Sequence, residues 1–437
     1  MRKLLPLVIS LALGGFTQLV MADNLAEIYN QAKENDPQLL RAAAQKDVAF
    51  EAVNSTQSSL LPQINLTAGY NTTRSNRNEN ENNAFNAGIS LQQELYQRSS
   101  WISLDTAEKI ARQSDSAYAA EQQGVILRVA QAYFEVLRAM DNLEFVRAEK
   151  ASVARQLEQT KQRFDVGLSA ITDVHDAQAQ YDGVLADEIL SENALVNSYE
   201  GLREITGQEH KTLSTLDTKR FSARTPQSSS QALVDEAEQK NLSLLAARIN
   251  QDIAKDNISL ASSGHLPSLT FDASYGYTDY DSINYSSNSY DANDLKAGIN
   301  LVVPIYSGGN TSSLEKQAQF SYVAASEDLE ATYRSVVKDV RGFNNNINAS
   351  IGALRAYKQS VLSAKSALEA TEAGFDVGTR TIVDVLDSTR RLYDSNRNLA
   401  NARYDYILSV LQLKLAVGTL NEQDILDINN SLVALAK

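Results

Sequence analysis

Cysteine is absent from the 437 residues, so neither disulfides nor thiolate-bound metals hold the fold together. The three histidines, His175, His210 and His265, are scattered. None lies in metal-ligand spacing, and each reads as a surface or turn residue. No phosphate loop, nucleophile elbow or dinucleotide fingerprint occurs. The chain therefore does not read as an enzyme, and no cofactor or metal is expected. Positive charge is also scarce, with 40 Lys and Arg against 54 Asp and Glu, a formal charge of -14 that disfavours nucleic acid as a partner. Beyond the first 22 residues there is no run of about 18 apolar residues, which excludes a spanning helix. A place in a membrane would have to be taken by strands.

The chain opens with Met1-Arg2-Lys3, an apolar stretch from Leu4 to about Val20, and Val20-Met21-Ala22. That pattern is a secretory signal peptide, residues 1–22, cut before Asp23. Losing Arg2 and Lys3 takes the charge from -14 to -16.

The remainder is duplicated. Leu39-Leu40 and Leu61-Pro62 recur 205 residues later as Leu244-Leu245 and Leu266-Pro267. AGISLQQELY from Ala87 recurs 210 residues later as AGINLVVPIY from Ala297. FDVGLSAITDVHD from Phe164 matches FDVGTRTIVDVLD from Phe375, with eight identities in 13 positions at an offset of 211; chance composition gives roughly one. A single period this long means two copies of one large unit.

Each copy reads as helix, two strands, long helix, turn, helix. The first helix is expected from about Asn24 to Ser58. Ile64, Leu66, Ala68 and Tyr70 alternate with polar residues, as do Phe85, Ala87, Ile89 and Leu91. Leu269, Phe271, Ala273, Tyr275 and Tyr277 form a third apolar row, and Leu295, Ala297, Ile299, Leu301 and Val303 a fourth. Period two with one apolar face is the strand signal, and each row is about ten residues long, enough for a tilted strand to cross a bilayer.

From Arg98 to Phe164 there is no proline and only Gly124 as a weak breaker. Val129, Val136, Leu143, Leu157 and Phe164 share one seven-residue register, interrupted at Lys150. Val340, Ile347, Leu354, Val361, Leu368 and Phe375 keep it unbroken. The return helices carry it through Val174, Tyr181, Leu195 and Leu202, and through Val385, Leu392, Leu399, Tyr406 and Leu413. Such a repeat describes helices supercoiling around neighbours. The long helices would span on the order of 100 Å, with the first and return helices stacked end to end beside them.

Four amphipathic strands leave two open edges, which lipid does not tolerate. Several chains must then share one barrel, two giving about eight strands and three giving about twelve with room for a lumen.

The paired sequences Arg163 to Val174 and Gly374 to Asp387, with His265 to Pro267, Phe343 to Ile351 and Leu399 to Tyr404, closely resemble the TolC family of outer-membrane efflux and secretion channels. The resemblance covers the mature chain almost end to end. It implies an α+β membrane protein: a homotrimer with a 12-stranded transmembrane β-barrel continued by a 12-helix periplasmic α-barrel, each chain giving four strands. The expected divisions are 23–207 and 231–418 for the repeats, with equatorial segments at 208–230 and 419–437. The implied role is an exit duct in the outer membrane of a Gram-negative cell, extending into the periplasm, for drugs, bile salts or detergents and protein toxins. Its implied partners are outer-membrane lipid, a periplasmic adaptor (membrane fusion) protein and an inner-membrane transporter of RND, ABC or MFS type. A passive trimeric porin or an adhesin with a periplasmic stalk is the alternative.

For the turn region the resemblance implies specific roles. Asp384 and Asp387, one helical turn apart, would form two carboxylate rings at a narrow aperture. Arg380 would latch onto Thr172 and Asp173 of an adjacent helix. Phe375 stands where the resemblance places a tyrosine, so a hydroxyl bond to Asp173 is unavailable and more of the closure rests on Arg380. Val166-Gly167-Leu168 and Val377-Gly378-Thr379 would receive the adaptor's hairpin tips.

Overall fold

Proline after aspartate decides how the chain begins. One helix is predicted from Asn24 to Ser58, but the backbone turns at Asp36 (φ -63, ψ 115), with Pro37 as the first residue of a new helix. A residue before proline avoids the α region, and aspartate is a strong helix cap. Asp36 Oδ1 accepts from the Gln38 and Leu39 amides at 2.7 and 3.1 Å, and Oδ2 takes Arg128 Nη2 at 2.8 Å.

The computed structural model describes residues 23–75, 80–226, 228–282 and 290–433. The predicted leader 1–22 and parts of the loops joining the paired strands lie outside the described residues. The first repeat runs α1 (Leu25–Asn35), α2 (Pro37–Gln57), β1 (Gln63–Ser75), β2 (Asn80–Tyr96), α3 (Arg98–Asp165) and α4 (Ile171–Thr206). A connecting segment holds β3 (Thr215–Leu216). The second repeat runs α5 (Ser230–Lys240), α6 (Leu242–Ser262), β4 (Ser268–Ser282), β5 (Tyr290–Val302), α7 (Asn310–Asp376) and α8 (Ile382–Val417), and the chain closes with α9 (Glu422–Asn429) and β6 (Leu432–Val433).

Helix α2 and helix α4 lie end to end along α3, while α6 and α8 lie end to end between α3 and α7. The protomer is thus a sheet of four staves, two continuous and two cut. At about 1.5 Å per residue the 68-residue α3 is about 100 Å long. At the second cut, Asn241 caps α6 through its Oδ1 (Leu244 N, 2.9 Å) and donates Nδ2 to the Ala416 carbonyl of α8 at 2.8 Å. Gly418 ends α8 so tightly there that a Cβ would sit 2.3 Å from Lys240 O.

The heptad residues Val129, Val136, Leu143, Leu157, Val340 and Ile347 are buried, as the register requires. Its interruption at Lys150 is used for an ion pair with Glu188 of α4.

The strands, 13 to 17 residues long, form one antiparallel sheet ordered β1-β2-β4-β5. They exceed the predicted ten because pairing continues through polar residues near the loops, as in Thr73↔Asn82. Register aligns the apolar rows: Leu66 opposes Ile89, Ile89 opposes Tyr275, and Tyr275 opposes Leu295. One face is therefore apolar across all four strands. It is also bare, with Leu66 82% and Leu295 80% exposed.

Midway along the helices, β3 pairs antiparallel with β6, and α1 buries Leu25, Ile28 and Tyr29 against α3, α4 and α9. His210 lies in this belt and is buried, contrary to the surface or turn position expected. Both ring nitrogens are satisfied there, Nδ1 by Asp23 Oδ2 at 2.8 Å and Nε2 by Thr206 Oγ1 at 3.0 Å, which is what allows a polar ring inside. His175 and His265 are exposed, as expected.

Candidate functional site

The tips where α3 turns into α4 and α7 into α8 lie at the far end of the staves from the sheet, since each long helix starts at a strand and ends at a tip. Both turns are built the same way. Gly167 (φ 76) and Gly378 (φ 78) take the left-handed conformation that side chains disfavour. Leu168 N bonds back to Arg163 O at 2.7 Å, and Thr379 N to Gly374 O at 2.8 Å. These bonds close the helix ends and leave Val166, Leu168 and Val377 about 70% exposed as an apolar fringe. Gly167, Gly378 and Thr379 are exposed beside them.

Beneath the fringe a small core holds the tips together: Val153 and Leu157 of α3, Ala177 and Val184 of α4, Phe375 of α7, and Ile382, Val385 and Leu386 of α8. A buried bond from Gln156 Nε2 to Thr389 Oγ1 at 3.1 Å ties α3 to α8 just above it. Glu149 of α3 is also buried in this seam, and burial pushes its carboxyl above the usual carboxylate range.

The acidic residues of the two turns start the return helices. Asp173 Oδ2 accepts from Ser169 Oγ at 2.6 Å and Ala170 N at 3.2 Å. Asp384 Oδ2 accepts from the Thr381 amide and hydroxyl, both at 2.9 Å, while Thr381 Oγ1 accepts from Asp384 N at 3.3 Å, a reciprocal capping box. The bonds from Thr381, with a smaller contribution from the Arg380 charge, hold the Asp384 carboxyl below its ordinary range. Asp387 Oδ2 pairs with Arg391 Nη2 at 2.7 Å one turn further along.

Arg380 is exposed. Within one protomer it makes no hydrogen bond to Thr172 or Asp173 among the described residues; its stem lies over Gly374, where a Cβ would come within 2.7 Å of Arg380 Cγ. Arg163, which the sequence did not mark as functional, lies with its guanidinium carbon 4.6 Å from the centroid of the Phe375 ring. The repeat alignment held a trace of this, because Arg163 and Gly374 occupy the same position of the two otherwise matching tips.

The model of the family described as "Outer membrane efflux protein" matches residues 28–208 and 233–419. The chain is 72% identical over 438 residues to the outer membrane protein TolC of Vibrio cholerae, covering all of both chains. It is 48% identical to the outer membrane protein TolC of Escherichia coli, across 99% of this chain and 90% of that protein. The crystal structure of the Campylobacter jejuni CmeC outer membrane channel superposes with a TM-score of 0.79 over 94% of this chain and 90% of that one, and at 17% identity it shows a shared fold. Two matched segments that follow the internal duplication, and an identity this high from end to end, make the chain a member of the outer membrane efflux protein family.

Proposed function

We propose that three copies of this chain form the outer-membrane exit duct of tripartite efflux pumps and of type I secretion. One observation carries the reading: a four-stranded sheet with a bare apolar face and two unpaired edges, β1 and β5, is joined to staves about 100 Å long. Strand edges and an apolar face suit lipid only in a closed barrel. The outermost staves add to it, since α2 and α4 on one side and α7 on the other carry exposed apolar residues such as Val48, Ile189, Phe320 and Leu362. Side-by-side closure of three protomers buries both edges and continues the barrel as a helical tube.

In that tube the tips form the periplasmic aperture. Asp384 and Asp387 make two rings of three carboxylates that favour cations. Arg380 reaches Thr172 and Asp173 across the junction between neighbouring tips, which is compatible with its lack of any such bond inside one protomer. The exposed turns Val166-Gly167-Leu168 and Val377-Gly378-Thr379 give an adaptor apolar contacts beside open backbone. Transport is then powered elsewhere, by an inner-membrane transporter that loads the duct.

Detergent-solubilised particles imaged at low resolution, with conductance in planar bilayers, test the reading. A threefold particle with a long stalk and a small resting conductance is expected. A wide-open pore in the absence of a pump favours the porin, and a threefold particle that does not conduct favours the adhesin. Mature protein that stays monomeric in water without detergent rejects all three.

A further inference from the structure

The two tips share F-D-V-G, yet their phenylalanines lead different lives. Phe164 is 40% exposed, whereas Phe375 is 9% exposed within the tip core. The residue before each differs as well. In the first tip it is Arg163, whose guanidinium lies over the Phe375 ring of the second tip at 4.6 Å. In the second it is Gly374, whose missing side chain leaves the space that the Arg380 stem fills. The Arg163 side chain makes no hydrogen bond or ion pair among the described residues, and its Nε is buried without a partner. Its place is therefore set by the ring and not by a carboxylate. A cation on an aromatic face keeps its attraction where water is partly excluded.

We infer that Arg163 is a positioning residue of the aperture, whose stacking on Phe375 pins the first turn of each protomer to the second and holds them at the spacing of the resting state. The inference rests on the aperture reading of the tips. It differs from the Arg380 latch in location: the stack lies inside a protomer, so it fixes how the two turns of one chain move together, while a latch between protomers fixes whether they part. Arg163 acts on the aperture only through Phe375 and the turn after α7 that carries Arg380.

The cysteine-free chain permits a direct test. Spin labels at Val166→Cys and Val377→Cys in the full trimer report the distance between turns, and planar-bilayer conductance reports the aperture. Arg163→Gln leaves the apolar core in place and removes the cation. It is expected to lengthen and broaden the distance distribution and to raise resting conductance on the order of threefold. Phe375→Leu should do the same, the double variant should add nothing to either single, and Arg163→Lys, which keeps a cation, should stay close to wild type in both measurements. Unchanged distances and conductance in Arg163→Gln, or single effects that multiply in the double variant, overturn the inference. A wild-type trimer that never conducts would instead reject the channel reading, and the distance measurement would still judge the stack.

Discussion

The two tips descend from one duplicated unit and keep the same turn geometry, but they have divided the work. The first tip has Ala170 at the cap, so Asp173 is held from one side only, by Ser169 and the Ala170 amide. The second has Thr381, and its capping box with Asp384 is closed in both directions. The first turn lends its arginine to the other's phenylalanine, while the second turn's arginine stays exposed at the rim. Duplication supplies a stable turn twice, and a few substitutions make one copy the better-fastened part and the other its brace.

Replacing Arg380 by serine breaks the comparison most severely. Resting single-channel conductance in planar bilayers should rise about tenfold, equivalent to about 1.4 kcal/mol of lost closure, whereas Ser169→Ala at the matching position should leave it near wild type. A small, unchanged conductance in the serine variant would reject the latch. The caps allow a finer contrast. Thr381→Ala should cost about 1 kcal/mol of stability and Ala170→Thr should recover a similar amount, both read by thermal unfolding of the trimer in detergent. The smallest effect concerns protons. Because Thr381 holds Asp384 below its ordinary value of 3.8, its charge is fully present above that value and is lost only as pH falls through the lower one. Block of the current by a multivalent cation should therefore persist at about pH 4 and vanish in Asp384→Asn at any pH.

Much of this architecture is legible from residues alone because its signals are periodic. The proline-free run from Arg98 to Phe164 bounds α3 to within a residue, the heptads mark the second half of α7, and alternation finds all four strands. The break at Asp36-Pro37 is written in the sequence as cap plus proline, but the helical pattern on either side masks it. At Asn241 even the proline is missing, and the cut depends on a bond to Ala416, 175 residues away. The burial of His210 is likewise a product of packing with no local signature, and the contact of Arg163 with Phe375 is hinted at only by the mismatch of Arg163 and Gly374 between the repeats. For the candidate site the turn residues are readable, while the partners that hold them are not.

The cut staves have a mechanical consequence. A continuous helix resists bending along its whole length, whereas the two rods meeting at Gly418 and Asn241 are joined by the bond from Asn241 Nδ2 to the Ala416 carbonyl. Compliance is thereby concentrated at the height of the β3–β6 belt. At that level α4 and α8 end while α3 and α7 run on, so a bend at the tips reaches the strands only through the two continuous helices of each protomer.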